Sequence, residues 1–314
     1  MSRFFPRGTL GRAPACARIC LSLFGLALVL GAGLVLTGCS GSKKDHAAEA
    51  ATPKRYPIRG VIVSVDLKNH AVLLNHQAIP GYMPAMTMEY GMSPGDLANA
   101  KAGQRIRAMM NPDAKGLPQL EDVWPDDQAG DKAIGQGERS LRDNTVSRGT
   151  GAYRELGEKM PGFVLYNQDG KVVTAAEFKG KMVMLDFIYT RCPIANMCPL
   201  ETSKMVQTQQ LAKKAGVKNV EFISITLDPK NDTPGVLKEY AKDRSIDTSN
   251  FSFLTGPEQA VNDLLTQFGV LAQLKGGIIQ HTLATLLISP NGTIAYRADG
   301  SDWEPKDFVD RMKL

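Results

Sequence analysis

Residues 190–199 read Thr-Arg-Cys-Pro-Ile-Ala-Asn-Met-Cys-Pro. An apolar run from Met182 to Tyr189 precedes them and predicts a strand, and the run from Glu201 to Ala215 behind them predicts a helix. Pro199 suits the first turn of that helix, where no amide donor is needed. Cys198 is therefore predicted at a helix N-terminus, where the helix dipole favours thiolate over thiol. Two thiols at such a turn can close as a disulfide or hold a soft metal ion.

The sequence around this turn alternates predicted strands and helices. After the helix, Val220 to Leu227 predicts a strand, and Thr233 followed by Pro234 indicates the start of a second helix. Further strands and helices are predicted at Phe251–Leu254, Glu258–Phe268, Leu283–Ile288 and Thr293–Arg297, with a final helix behind them. Such alternation predicts a layered α/β sheet for residues 157–314.

Residues 55–125 have a different pattern, with short alternating strands and frequent turns. Strands are predicted at Val61–Val65, Val72–His76, Met86–Tyr90, Arg105–Met110 and Gln119–Trp124. Five short strands without a helix predict a small, closed, OB-like β-barrel. Residues 126–156 are rich in Gly, Asp, Arg, Ser and Gln and poor in apolar side chains. This composition predicts a flexible linker between the two domains.

The N-terminus has the pattern of an export signal. Four arginines and no acidic residue precede an apolar run from Ile19 to Val35, which ends in Leu-Thr-Gly before Cys39. This resembles the bacterial lipoprotein signal, which implies cleavage after residue 38 and acylation of Cys39, with residues 39–54 as a tether. The alternative is an uncleaved membrane helix. Either way, the body is predicted on the periplasmic side of a bacterial membrane.

The net charge of the body gives no indication of nucleic-acid binding. The 37 basic residues, less the four arginines of the leader, leave 33 against 32 acidic residues. The body also has no basic run interleaved with aromatic residues. Cys192 and Cys198 are its only cysteines after Cys39, and an exported body lies in an oxidising compartment.

The C-terminal domain resembles the SCO/SenC family of thioredoxin-like copper chaperones. The shared blocks are Pro161-Gly162-Phe163, Asp169-Gly170-Lys171, residues 183–193, Ile225-Thr226-Leu227-Asp228-Pro229, Asp232-Thr233-Pro234, His281-Thr282 and residues 286–292. The resemblance implies copper ligation by Cys192, Cys198 and His281, and a redox disulfide between the two cysteines. It also implies a thiol reductant for that disulfide and delivery of copper to a cytochrome oxidase subunit or another client. This chain has five residues between the cysteines, where the family's commonest spacing is three.

The donor types fit that resemblance but leave other functions open. Two thiolates and one imidazole form a soft set that suits Cu(I), whereas structural zinc usually has four protein ligands. A thioredoxin-type reductase favours two residues between its cysteines. The alternatives are a thiol–disulfide oxidoreductase that acts on partner cysteines and a copper-resistance buffer without a client. His281 on its own would more simply be a strand-edge histidine.

The N-terminal domain resembles the CusF-like periplasmic copper-binding proteins. The shared stretch is His-Gln-Ala-Ile-Pro-Gly-Tyr-Met-Pro-Ala-Met-Thr-Met at residues 76–88. The resemblance implies Cu(I) ligation by His76, Met86 and Met88. Residues i and i+2 of a strand point the same way, so the two thioethers would converge, and thioethers select the soft ion. Packing of the methionines in the barrel core is the alternative. Where the family has a tryptophan cap, this chain has Met83, a further sulfur.

Overall fold

The computed structural model describes residues 54–313. Residues Thr52–Leu314 form one compact unit that contains two hydrophobic cores, one in each predicted domain. The predicted signal peptide, Cys39 and all but the last residue of the tether lie outside the described residues. Within the described part of the chain, no helix has the length and apolar character needed to cross a bilayer.

The N-terminal domain is a closed barrel of five strands, as predicted. Its strands are β1 (Tyr56–Asp66), β2 (Ala71–His76), β3 (Met86–Gly91), β4 (Arg105–Asn111) and β5 (Gln119–Pro125). They close in the order β1-β2-β3-β5-β4. Alternate residues face inward because strand side chains repeat every two positions, so Ile62, Leu74, Ile106 and Met110 fill the barrel and are fully buried.

A short helix, α1 (Pro94–Asn99), interrupts the barrel strands between β3 and β4 and was not predicted. Ser93 caps it by accepting a hydrogen bond from the Asp96 amide. This helix packs against α4 (Pro234–Asp243) of the C-terminal domain. The two domains are therefore in direct contact through α1 and α4.

Residues 126–156 do not form the predicted flexible linker. Most of them belong to α2 (Gln128–Arg148), a helix of 21 residues that Asp127 caps at its N-terminus. The helix buries Ile134 and Leu141 and packs against α5 (Glu258–Gln267) of the C-terminal domain. The prediction failed because apolar residues are few here, yet Ile134 and Leu141 are seven residues apart, lie on one face of the helix and are enough to seat it.

The C-terminal domain is the predicted α/β layer structure. Its seven strands are β6 (Val164–Asn167), β7 (Val172–Thr174), β8 (Met182–Ile188), β9 (Val220–Thr226), β10 (Phe251–Thr255), β13 (Ala284–Ile288) and β14 (Ile294–Asp299). They lie in the order β14-β13-β8-β9-β10-β6-β7. β9 is parallel to both β8 and β10, whereas β13 runs antiparallel to β8. The three parallel strands are almost continuously buried because both faces of the sheet centre are covered.

The remaining helices begin near the predicted positions. They are α3 (Cys198–Lys214), α4, α5 and α6 (Pro305–Met312). Thr233 caps α4 as predicted by accepting a hydrogen bond from the Val236 amide. An unpredicted hairpin of β11 (Ala272–Lys275) and β12 (Ile278–His281) stands apart from the main sheet and ends at His281. The cysteine turn, between β8 and α3, and this hairpin together form the C-terminal candidate site.

Candidate metal centres

The turn that carries Cys192 is held by two aspartates from the loop after β9. The buried Asp232 carboxylate accepts hydrogen bonds from the Thr190 amide at 3.2 Å and from the Thr190 hydroxyl at 2.5 Å. Asp228 accepts a hydrogen bond from the Arg191 guanidinium at 2.6 Å. Both residues that precede Cys192 are therefore fixed, because parallel strands β8 and β9 end at the same edge of the sheet.

Cys198 is the first residue of α3, as predicted, but its environment is apolar. The side chain is fully buried in the core of the domain. Burial raises the pKa of the Cys198 thiol, and the nearby Cys192 raises that pKa further. The expectation that the helix dipole would favour thiolate is therefore wrong for the metal-free protein, because the loss of solvation outweighs the dipole.

His281 meets Cys198 at the end of the hairpin. Its Nε2 lies 3.4 Å from the Cys198 sulfur, and its Nδ1 lies 3.1 Å from the Thr282 carbonyl oxygen. Donation of the Nδ1 proton to that carbonyl leaves Nε2 with a lone pair directed at the thiol. Burial lowers the pKa of His281, which favours the neutral imidazole that a metal ion needs.

Tyr189, the residue after β8, supports this histidine. Its ring meets the His281 ring edge-on, with 5.9 Å between the centroids. Its hydroxyl donates a hydrogen bond to the Ile279 carbonyl at 3.3 Å, which ties the hairpin to the cysteine turn. Sequence analysis placed Tyr189 in a strand and assigned it no role. Its position directly before the cysteine turn was the available signal.

The structure brings the three predicted C-terminal donors close together, with His281 against Cys198 and the Cys192 thiol close enough to Cys198 to raise its pKa. Cys192 is partly exposed, and its sulfur lies 3.9 Å from the Ile194 carbonyl oxygen. Both Cys192 and Cys198 are free thiols. Across residues 54–313, no three His, Cys, Asp or Glu side chains form a group that could hold a metal ion. Binding of one ion by Cys192, Cys198 and His281 would therefore need a local adjustment of these three side chains.

The barrel places its predicted donors on one face of two paired strands. His76 is directly opposite Met86 in the antiparallel register of β2 and β3, and Met88 is opposite Leu74. Directly opposite residues share a face, as do residues two apart in one strand, so all three donors point the same way. His76 is 1% exposed and Met86 is 43% exposed. The donor set therefore runs from a buried histidine to the solvent-facing rim of the barrel.

The two ring nitrogens of His76 have different environments. Its Nδ1 lies 2.7 Å from the Gln77 carbonyl oxygen. Its Nε2 is buried and has no hydrogen-bond partner in the described part of the chain. A buried polar atom without a partner costs free energy, and a Cu(I) ion bound to this nitrogen would supply that partner.

Two carboxyl groups buried near Cys198 were also missed by sequence analysis. Asp186 accepts a hydrogen bond from Ser224, and burial raises the pKa of Asp186 to about 8. Glu201 accepts hydrogen bonds from Trp303 and Thr285, and burial raises its pKa as well. Of the two, Asp186 adds to the cost of forming a thiolate at Cys198, because like charges in a buried region repel each other.

Two family models match the chain, and their bounds follow the two domains. Residues 152–313, just over half of the chain, match the SCO1/SenC model. Residues 55–125 match the model of copper binding periplasmic protein CusF.

Individual proteins and solved structures are similar to the C-terminal half of the chain. A SCO1 protein homolog from Bacillus subtilis (strain 168) is 32% identical over 151 residues, which are 47% of this chain and 77% of that protein. The solved structure of a SCO1/SenC family lipoprotein from Bacillus anthracis str. Ames is 30% identical, with a TM-score of 0.47, over 52% of this chain and 98% of that one. Yeast Sco1 with copper bound is 27% identical, with a TM-score of 0.42, over 51% and 87%. The chain is a copper-binding, Sco-like protein with a CusF-like N-terminal domain, and it belongs to the SCO1/SenC family.

Proposed function

We propose that this protein is a membrane-anchored Cu(I) chaperone of the periplasm that delivers copper toward the assembly of a respiratory cytochrome oxidase. Acylation of Cys39 provides the anchor in this proposal. Cys192, Cys198 and His281 form the delivery site, and His76, Met86 and Met88 form a second site in the barrel. The client is a cytochrome oxidase subunit or another copper acceptor.

One observation carries the C-terminal assignment. The His281 Nε2 lies 3.4 Å from the Cys198 sulfur, while its Nδ1 is held by the Thr282 carbonyl. A soft sulfur and a neutral imidazole nitrogen are thus already aimed at a common position, and Cu(I) favours such a pair. The partly exposed Cys192 supplies the second thiolate from a short movement of its loop. Copper binding removes the protons of both thiols, which offsets the cost of a buried thiolate at Cys198.

The same two thiols provide a redox control. Oxidation of Cys192 and Cys198 forms one sulfur–sulfur bond and releases two electrons and two protons to an oxidant. The disulfide has no thiolate for copper, so a thiol reductant must return two electrons and two protons before the site can load. The barrel donors are thioethers and an imidazole, and they are unaffected by this oxidation.

The test is the copper stoichiometry of the reduced soluble body, residues 52–314. We expect two Cu(I) ions in the parent, one after Cys192→Ser with Cys198→Ser, and none when Met86→Leu and Met88→Leu are added. Met109, on the outward face of β4, gives a matched control, and Met109→Leu should leave both ions bound. Loss of all copper in the cysteine variant would show that the barrel donors are core packing, and an unchanged count of two would exclude the cysteine site.

A thiol–disulfide oxidoreductase is the second candidate, favoured by the unequal exposure of the cysteines. Cys192 is partly exposed and Cys198 is buried, which suits an attacking and a resolving thiol. Such an enzyme would reduce a partner's disulfide repeatedly without metal. Turnover of a disulfide substrate by a His281→Ala protein that binds no copper at this site would favour the oxidoreductase.

A further inference from the structure

The segment between β2 and β3 folds back over the rim of the barrel at the histidine–methionine site. Ile79 and Met83 exchange backbone hydrogen bonds of 2.9 and 3.1 Å. Gly81 occupies the left-handed region at φ 72°, which a glycine adopts without strain. This turn fixes the backbone of Met83, and its side chain packs partly buried against the barrel core, as does that of Met88.

The sulfur of Met83 and the ring of His76 both contact the same tyrosine, Tyr90. The Tyr90 hydroxyl is 3.9 Å from the Met83 sulfur. The same tyrosine ring meets the His76 ring edge-on, with 5.8 Å between the centroids. Tyr90 is fully buried and stands two residues beyond Met88 on the inward face of β3. Met83, His76 and Met88 are therefore neighbours of one buried tyrosine.

We propose that Met83 is a fourth ligand of the barrel site, which then holds Cu(I) through three thioethers and one imidazole. The inference rests on the proposed function, because it adds a donor to the same site. All four donors are neutral and three of them are soft thioethers, so the site favours a monovalent soft ion over hard divalent ions. The orphaned His76 nitrogen is the buried end of this set and Met86 is its exposed end.

The hydroxyl of Tyr90 competes with copper for the sulfur of Met83. In the metal-free protein this hydroxyl donates a weak hydrogen bond to the Met83 sulfur. Copper ligation by Met83 draws on the same sulfur lone pairs. The Tyr90 hydroxyl therefore weakens copper binding slightly.

The test uses residues 52–314, the compact unit with its own two cores, with Cys192→Ser and Cys198→Ser so that only the barrel site remains. Cu(I) affinity is measured by competition with a chromophoric Cu(I) chelator, and the donors are counted by X-ray absorption. We expect one ion bound by three sulfurs and one nitrogen. Met83→Leu should leave two sulfurs and weaken binding about tenfold or more, the equivalent of roughly 1.4 kcal/mol. Met109→Leu is the control and should change neither quantity.

Tyr90→Phe provides a second variant that keeps the buried ring and removes only the hydroxyl. We expect Cu(I) to bind about two- to tenfold more tightly, since the competing hydrogen bond is gone. An unchanged sulfur count and affinity in Met83→Leu would overturn Met83 as a ligand, while the site itself still binds copper. An unchanged affinity in Tyr90→Phe would overturn the competition between the Tyr90 hydroxyl and copper. A parent that binds no copper would instead overturn the barrel site of the proposed function.

Discussion

At the scale of single residues, both candidate sites depend on which nitrogen of a histidine is left available. His76 and His281 each place Nδ1 against the carbonyl of the next residue, Gln77 and Thr282. Each therefore presents Nε2 to the sulfur donors of its own domain. The resemblance to known families predicted both histidines, but the hydrogen bonds that select the nitrogen depend on backbone geometry that no sequence pattern specifies.

The two cysteines are predicted to differ in reactivity. Cys198 is buried and its pKa is raised by that burial, whereas Cys192 is partly exposed. In the reduced, metal-free body, iodoacetamide should therefore alkylate Cys192 first, because the thiolate is the nucleophile and the reagent must reach it. Alkylation of Cys198 should accelerate as pH rises well above neutrality.

Mass spectrometry of timed samples measures both rates. The same protein unfolded in guanidinium chloride is the control, where the two cysteines should react alike. Equal rates in the folded protein, or faster labelling of Cys198, would contradict the burial of Cys198 in the domain core.

At the scale of elements, the sequence predicts those with strong local signals. The five barrel strands, the strand before the cysteine turn and the Thr233 cap were all predicted, since alternation and cap residues act locally. The hairpin that carries His281 was missed, although Gly276-Gly277 between two short runs is a hairpin signal. The helix α2 was missed because its glycines oppose helix formation in isolation.

Tertiary packing explains one of the glycines of α2. A side-chain carbon on Gly137 would lie 2.5 Å from Val164 of β6, whereas one on Gly135 would meet only Arg139, at 3.6 Å. Gly137 thus allows α2 to approach the sheet closely. Such a contact between distant segments cannot be read from the composition of residues 126–156, which resembles that of a linker.

These two glycines give a matched pair of substitutions. Gly135→Ala should raise the free energy of unfolding by about 0.5–1 kcal/mol, since alanine is the better helix former. Gly137→Ala should lower it by about 1 kcal/mol or more, because overpacking against Val164 exceeds that gain. Urea unfolding of residues 52–314 measures both. A stabilising effect of both substitutions would show that α2 does not pack on β6 in solution.

At the scale of the whole molecule, the barrel and the thioredoxin-like domain share an interface. Asp131 of α2 contacts Arg107 of the barrel at 2.7 Å and accepts a hydrogen bond from Tyr166 of the main sheet at 3.1 Å. Lys238 of α4 donates to the Asn99 side chain of α1 at 2.8 Å. A side-chain carbon on Gly95 would clash with the carbonyl oxygen of Gly235, so α1 and α4 are in backbone contact.

Asp96 makes this interface sensitive to pH. Its carboxyl packs against Gly235, and burial, aided by Glu239 and Asp122, raises the pKa of Asp96 to about 6. The folded state therefore holds this proton more tightly than the unfolded state, whose carboxyl titrates near 3.8. The proton on Asp96 therefore stabilises the folded state below about pH 4, and this stabilisation is lost as pH rises through about 6. The shift of about two units corresponds to about 3 kcal/mol.

Asp96→Asn tests this dependence. Relative to the parent, the variant should gain about 2–3 kcal/mol between pH 4 and pH 7.5, because asparagine has no proton to lose. Urea unfolding at several pH values measures the gain, and Asp113→Asn in an exposed loop serves as the control. A difference between variant and parent that does not change with pH would contradict the assignment.

Because the helix between the domains is continuous, the number of residues in it is constrained. Asp127 caps α2 only two residues after β5 ends, so the barrel continues directly into the helix. Each residue added to a helix rotates the chain beyond it by about 100° and advances that chain by about 1.5 Å. One inserted residue would therefore break either the contact between α1 and α4 or the packing of α2 on β6. A flexible linker, by contrast, would accommodate the extra residue without disturbing either contact. Related chains that keep this two-domain architecture should vary in α2 by substitution and rarely by insertion.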